Sequence, residues 1–274
     1  TKTKDLKFVE NTFLDFCKNQ TLKGALIKSV DLLEMGGYDD IRTLIGNALK
    51  AGVEKSLGHE YIKEIEDRYR EDSRSVVETP WDNISRLLGG GLGKGDLGLI
   101  VGGPGTGKSW ALVALGAHAI NLGYNVLHYT LELDDIYVGR RYDACFTEIP
   151  VNEIVEHKDK VEEKLKTLRG ELYLKKYPTN GAGINTIHAH IEKCRNQDIN
   201  PDLIIVDYAD LLKGSGKERR DRLDDIYLNL RGLAGEVKLP IWTASQVNRT
   251  GAREEIIQGD RIAESYAKMM ISDF

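Results

Sequence analysis

Gly102-Gly103-Pro104-Gly105-Thr106-Gly107-Lys108-Ser109 has the spacing G-x-x-x-x-G-K-[ST], and its chemistry is the cradling of nucleotide phosphates. Glycines let the backbone curl until successive N–H groups point at one anion. A helix starting at the loop adds its positive dipole end. Lys108 has the reach to meet β- and γ-phosphates, and the Ser109 hydroxyl can ligate Mg²⁺. The nucleotide-binding set is therefore Gly102, Gly103, Pro104, Gly105, Thr106, Gly107, Lys108, Ser109 and the adjoining Trp110. A chance Gly-rich turn would lack flanking elements. Here an apolar run at 97–101 precedes the motif, and 110–120 follows with helix-compatible Ala and Leu spacing.

Three further polar residues stand at the ends of apolar runs. Asp207 closes Leu203-Ile204-Ile205-Val206, where a carboxylate emerging from a strand can hold Mg²⁺ or its water shell. Glu132 follows 126–131; it can orient or deprotonate a water, or serve as an acid at the start of the next helix, and its chemistry alone does not choose. Gln246 follows 241–244; its amide can contact a γ-phosphate and sense it, or simply cap a turn. Lys213, Lys217, Arg219 and Arg220 lie after the Asp207 run, and Arg249, Arg253 and Arg261 after Gln246. They suit a nucleic-acid backbone, yet Glu218, Asp221, Glu254 and Glu255 are interleaved, as on a solvated, salt-bridged surface. The six histidines form no ligand-type cluster.

These residues need elements to hold them. Short apolar segments at 97–101, 126–131, 172–174, 203–206 and 241–244 read as strands. Helix-like stretches at 109–122, 135–146, 151–168, 184–195 and 221–237 alternate with them. The fold class is α/β: a mostly parallel central sheet flanked by helices. Residues 1–75 read instead as a small helical segment, a linker or docking piece carrying apolar positions such as Leu22, Leu26, Ile27, Val30 and Leu33; 76–274 form the second domain. With 41% apolar and 30% charged residues and a net charge of −5, the chain is an ordinary globular protein without a global basic field, so nucleic-acid contact would need a local patch. Cys17, Cys145 and Cys194 have no metal-type spacing and fit a reducing, cytoplasmic compartment. No run is long enough to span a bilayer. Thr1 in place of Met suggests a processed product or a piece of a longer protein.

Four motifs in order, Gly102–Ser109, Thr130-Leu131-Glu132, Leu203-to-Asp207-Tyr208 and Ser245-Gln246-Val247-Asn248-Arg249, resemble the RecA-like P-loop NTPase motor domain of DnaB-type replicative helicases. Thr79-Pro80-Trp81-Asp82 and the stretch Gly89-Gly90-Gly91-Leu92-Gly93-Lys94-Gly95-Asp96 are similar to that family's lead-in. The resemblance covers about residues 76–268. It implies hexameric rings that hydrolyse ATP with Mg²⁺ between neighbours, move on single-stranded DNA and work with a primase, in a bacterial cell or, if phage-encoded, in the host cytoplasm. By position it makes Lys108, Glu132 and Gln246 catalytic, Ser109 and Asp207 metal ligands, and Lys217, Arg219, Arg220, Arg249, Arg253 and Arg261 the candidate DNA contacts. A RecA-like recombinase and a KaiC-type nucleotide-gated assembly ATPase share the site and are the alternatives. Two departures stand out. The family's basic finger follows a further strand, expected to begin near Ile271-Ser272-Asp273-Phe274, so the finger is expected past Phe274 and this chain alone is expected to turn over ATP slowly. The family's Arg-Glu-Ser-Gly loop is Ala263-Glu264-Ser265-Tyr266 here.

Overall fold

The computed structural model describes residues 19–33, 37–50, 61–63, 65–69, 75–247 and 267–274. The chain divides into two units, Thr1–Ser73 and Arg74–Phe274. In the first, residues 19–33 are helical, Tyr38–Lys50 is a second helix, and Ile65–Arg68 is one turn. Ala25 is buried and its carbonyl accepts from the Ser29 hydroxyl at 2.7 Å. Leu26, Ile27, Val30 and Leu33 nevertheless remain exposed, so the apolar stripe read from the sequence faces solvent.

The second unit is built on five parallel strands: β3 (Leu97–Gly102), β4 (Val126–Thr130), β5 (Leu172–Lys176), β6 (Leu203–Asp207) and β7 (Ile241–Gln246), in the order β3-β7-β6-β4-β5. Before them, β1 (Val76–Val77) and β2 (Leu92–Gly93) form a short antiparallel ribbon around α1 (Asp82–Leu87). Helices α2 (Lys108–Leu122), α3 (Asp135–Thr147), α4 (Lys158–Leu165), α5 (Ile184–Arg195) and α6 (Arg219–Val237) connect the strands, and α7 (Ala267–Ile271) follows β7.

Strand alternation sorts the core onto two faces. Ile204 and Val206 of β6 pack with Ile187, Ile191, Ile226, Tyr227 and Leu230 on the α5–α6 face. Leu203 and Ile205 pack with Leu112, Leu115, Val138 and Tyr142 on the α2–α3 face. Near-continuous apolar strands are what a parallel sheet covered on both sides requires. Each fully buried Leu or Ile side chain contributes about 1.5–3 kcal/mol of transfer free energy.

One expected helix is divided. Residues 151–168 contain a 3₁₀ turn at Ile154–His157 and then α4. Glu153 N–H donates to the Pro150 carbonyl and Glu156 N–H to the Glu153 carbonyl, three residues back in each case, so the segment starts too tightly wound to run as a single α-helix. Its only buried apolar residues, Ile154 and Val161, are served by the two pieces separately.

The outer edge of β3 is occupied. Asp273 N–H donates to the Leu97 carbonyl (2.9 Å), Leu99 N–H to the Phe274 carbonyl (2.7 Å), and Leu97 N–H to the Asp273 carboxylate (2.8 Å). Arg231 of α6 holds Asp273 through an ion pair at 2.8 Å, and Phe274 meets Trp242 edge-on with ring centroids 6.1 Å apart. On the same face Gly98 lies directly beneath the Trp242 indole, where a Cβ would collide with the ring. Gly98→Ala is expected to cost about 1–3 kcal/mol, the scale of core overpacking. A urea titration should show a lower midpoint at unchanged slope; an unchanged midpoint would mean the indole moves aside freely.

Candidate active site at the carboxyl edge of the sheet

The strand register brings the polar strand ends together. Gly102 pairs with Gln246 across β3 and β7, and Thr130 with Asp207 across β4 and β6. Beyond the ladder, Leu131 N–H donates to the Asp207 carbonyl at 2.8 Å, which ties the chain leading into Glu132 to β6. The phosphate loop, Glu132, Asp207 and Gln246 thus share the carboxyl edge, where ligands bind in open α/β sheets.

The loop runs from β3 into α2. Gly105 (φ +73°) and Gly107 (φ +95°) adopt left-handed conformations, and nothing stands within 4 Å of where a Cβ would be at either. Thr106 braces the loop by donating to the Gly103 carbonyl (2.8 Å). Lys108 folds inward, its Nζ donating to the carbonyls of Gly102 (3.1 Å) and Gly103 (2.7 Å). Burial pushes its ammonium below the ordinary value, against the pull of Glu132, Asp207 and Asp210.

Asp207 is buried at the end of β6. The Ser109 hydroxyl donates to its Oδ1 at 3.2 Å, while Oδ2 is buried without a hydrogen-bond partner among the described residues. Burial raises its carboxyl above the ordinary carboxylate range; Ser109 opposes this, Glu132 adds to it, and Arg141 and Lys108 oppose it. An orphaned carboxylate oxygen beside a hydroxyl suits a hard divalent cation. Among the described residues no group of three or more His, Cys, Asp or Glu could hold a metal by itself.

Glu132 is exposed and contributes to the electrostatics of Lys108, Asp207 and Tyr208. The helix-start role open to it in the sequence falls to Asp134, which caps α3 by accepting from Ile136 N–H at 3.2 Å. The Thr130 hydroxyl braces the turn through Leu133, donating to its carbonyl at 2.8 Å. Gln246 donates through Nε2 to the Tyr208 hydroxyl at 3.1 Å.

Several neighbours went unassigned in the sequence. Tyr208 was visible beside Asp207 but without a role. Arg141 stacks between Trp110 (5.0 Å) and Tyr137 (5.3 Å), with its Nε buried and unpartnered among the described residues. Trp110 therefore sits against a guanidinium at the foot of the loop. Asp210 and Lys268 form a buried ion pair at 2.8 Å. Tyr137 and Arg141 stand four residues apart on α3, a helical spacing visible in the sequence, whereas Trp110 comes from α2 and the partner of Lys268 from another element, which no local pattern shows.

Of the basic residues, Lys217, Arg219 and Arg220 are exposed at the start of α6 and just before it. Arg219 lies near enough to oppose the raised value of the Tyr208 hydroxyl. Arg249, Arg253 and Arg261, and the Ala263-Glu264-Ser265-Tyr266 stretch, lie outside the described residues.

The profile of the DnaB-like helicase C-terminal domain matches residues 77–256. The chain belongs to that family. It is 27% identical over 257 residues to the DnaB-like replicative helicase of Enterobacteria phage T4, covering 88% of this chain and 54% of that protein. It is 26% identical over 193 residues to the replicative DNA helicase DnaB of Synechocystis sp., covering 68% of this chain and 22% of that one. The chain thus spans about half or less of these two relatives. Two solved structures share the fold. One, of a DnaB-like replicative helicase studied for its interactions with primase, superposes with a TM-score of 0.71 at 13% identity, over 96% of this chain and 66% of that one. The other, of an ATPase domain, gives 0.62 at 16% identity, over 73% of this chain and 74% of that one. The five-strand parallel sheet flanked by helices is the RecA-like α/β architecture expected of the DnaB family.

Proposed function

We propose that this chain is the ATP-hydrolysing motor unit of a replicative helicase, acting in a ring of copies on single-stranded DNA. One observation carries the reading: a DnaB-family chain brings a phosphate loop, Glu132, Asp207 and Gln246 to neighbouring strand ends. The loop N–H groups and the start of α2 receive the phosphates of ATP, and Lys108 exchanges its loop carbonyls for phosphate oxygens. Ser109 and Asp207 hold Mg²⁺, which when bound neutralises phosphate charge. Glu132 orients the attacking water and takes its proton. Gln246, steadied by Tyr208, reads the γ-phosphate. Lys217, Arg219 and Arg220, with Arg249, Arg253 and Arg261, contact the DNA backbone. A primase is the proposed partner and the cytoplasm the proposed compartment; no helix among the described residues is long and apolar enough to cross a membrane.

The test is a forked-duplex unwinding assay run beside ATP turnover. The full-length protein should separate strands, and single-stranded DNA should accelerate its turnover. Glu132→Gln should still bind a fluorescent ATP analogue while turnover falls about a hundredfold, the scale of a lost general base. Turnover without unwinding would favour a nucleotide-gated assembly protein, and filaments on DNA by electron microscopy a recombinase.

A further inference from the structure

Lys268 is fully buried, unusual for a lysine without a strong reason. Its ammonium donates to Asp210 Oδ2 (2.8 Å) and to the Ser245 hydroxyl (3.1 Å), and stands 5.1 Å above the Tyr227 ring. The Tyr227 hydroxyl donates to Asp210 Oδ1 (2.7 Å). A buried ammonium is tolerated only with its partners in place, and its loss leaves the partner carboxylate stranded. The residues it joins belong to three elements around the proposed nucleotide site. Ser245 is on β7 next to Gln246, and alternation turns the two side chains to opposite faces. Asp210 lies in the turn that follows Asp207 and Tyr208, and Tyr208 in turn holds Gln246. Lys268 itself is on α7, where the chain comes back after Arg249, Arg253 and Arg261. The segment 247–267 therefore leaves from beside the Gln246 contact and returns onto the reverse side of the same strand end.

We propose that Lys268 is a positioning residue: it clamps the returning end of the arginine-bearing segment to the strand end that presents Gln246, and so couples DNA engagement by that segment to ATP turnover. This rests on the motor reading above. The variants are Lys268→Met and the double variant Lys268→Met/Asp210→Asn, made in the full-length protein. The double variant removes both charges together, and its amide can still accept from Tyr227.

The single variant should melt below the parent and the double close to it. In the folded double variant, hydrogen exchange of the Ser245–Val247 and Ala267–Ile271 amides should accelerate about tenfold while α2 and β4 keep parental protection. Stimulation of kcat by single-stranded DNA should fall about tenfold, with KM for ATP within about twofold of the parent. Parental exchange and parental stimulation in the folded double variant would overturn the proposal and leave Lys268 a packing residue. A parent that DNA does not stimulate would refute the motor reading instead; the exchange arm then decides on the clamp alone, with faster exchange at both segments supporting it and parental exchange overturning it.

Discussion

Lys108→Ala is expected to lower ATP turnover by about a thousandfold or more, the upper range for removing a preorganised donor at a developing charge. The loop is built around this ammonium. Its Nζ holds the Gly102 and Gly103 carbonyls at 3.1 and 2.7 Å, so it stands inside the curve where the phosphates belong. Burial already disfavours its charged form, and the facing carboxylates Glu132, Asp207 and Asp210 restore part of that loss. Alanine removes both the donor and the only lysine in the loop sequence 102–109. Steady-state hydrolysis and equilibrium binding of a fluorescent nucleotide, measured together, separate weak binding from slow chemistry. Near-parental turnover would refute the site assignment.

Asp207→Asn should lose turnover on a similar scale, about a hundredfold to a thousandfold, yet make the nucleotide-free protein more stable. Asp207 is buried, one of its oxygens has no partner among the described residues, and burial holds its carboxyl above the ordinary range. A carboxyl whose value is raised in the folded chain is less easily ionised there than in the unfolded chain. The penalty is therefore present at neutral pH and disappears as pH falls through the raised value. Asparagine keeps an acceptor for Ser109 and carries no charge. Melting curves without nucleotide or divalent cation should show the variant above the parent at pH 7.5, with the gap closing toward acid. A variant that melts below the parent at pH 7.5 would contradict the assignment of Asp207 as a strained carboxylate. The loss of function beside a gain in stability is the trade expected where a buried charge is kept for a ligand.

How far each residue was legible depended on where its partners lie. Strands β3, β4, β6 and β7 were readable as short, mostly apolar runs because burial on both faces leaves little else in them, while the edge strand β5 is half-buried and showed only through Leu172-Tyr173-Leu174 before two exposed lysines. Asp207 was conspicuous as the first polar side chain after its run, and Gln246 as the second after its own, behind Ser245. The segment after Pro150 misled because its apolar spacing fits a helix, and over a four-residue 3₁₀ turn the change in periodicity from that of an α-helix is too small to read. The β1–β2 ribbon, two residues per strand, is too short to show alternation. Lys268 was invisible for another reason: its partner Asp210 stands 58 residues earlier, and a single lysine in a short amphipathic stretch reads as surface.

The pairing of β3 with β7 continues to the last residue of both, with Gly102 opposite Gln246, and Val247 N–H adds one more rung to the Gly102 carbonyl at 3.3 Å. In mechanical terms the two strands are a laminated beam, glued along its whole length and clamped at the tip. Such a beam does not shear. A force arising at a bound phosphate cannot be relayed by β7 sliding past β3; it has to pass as torsion of individual side chains at the clamped tip.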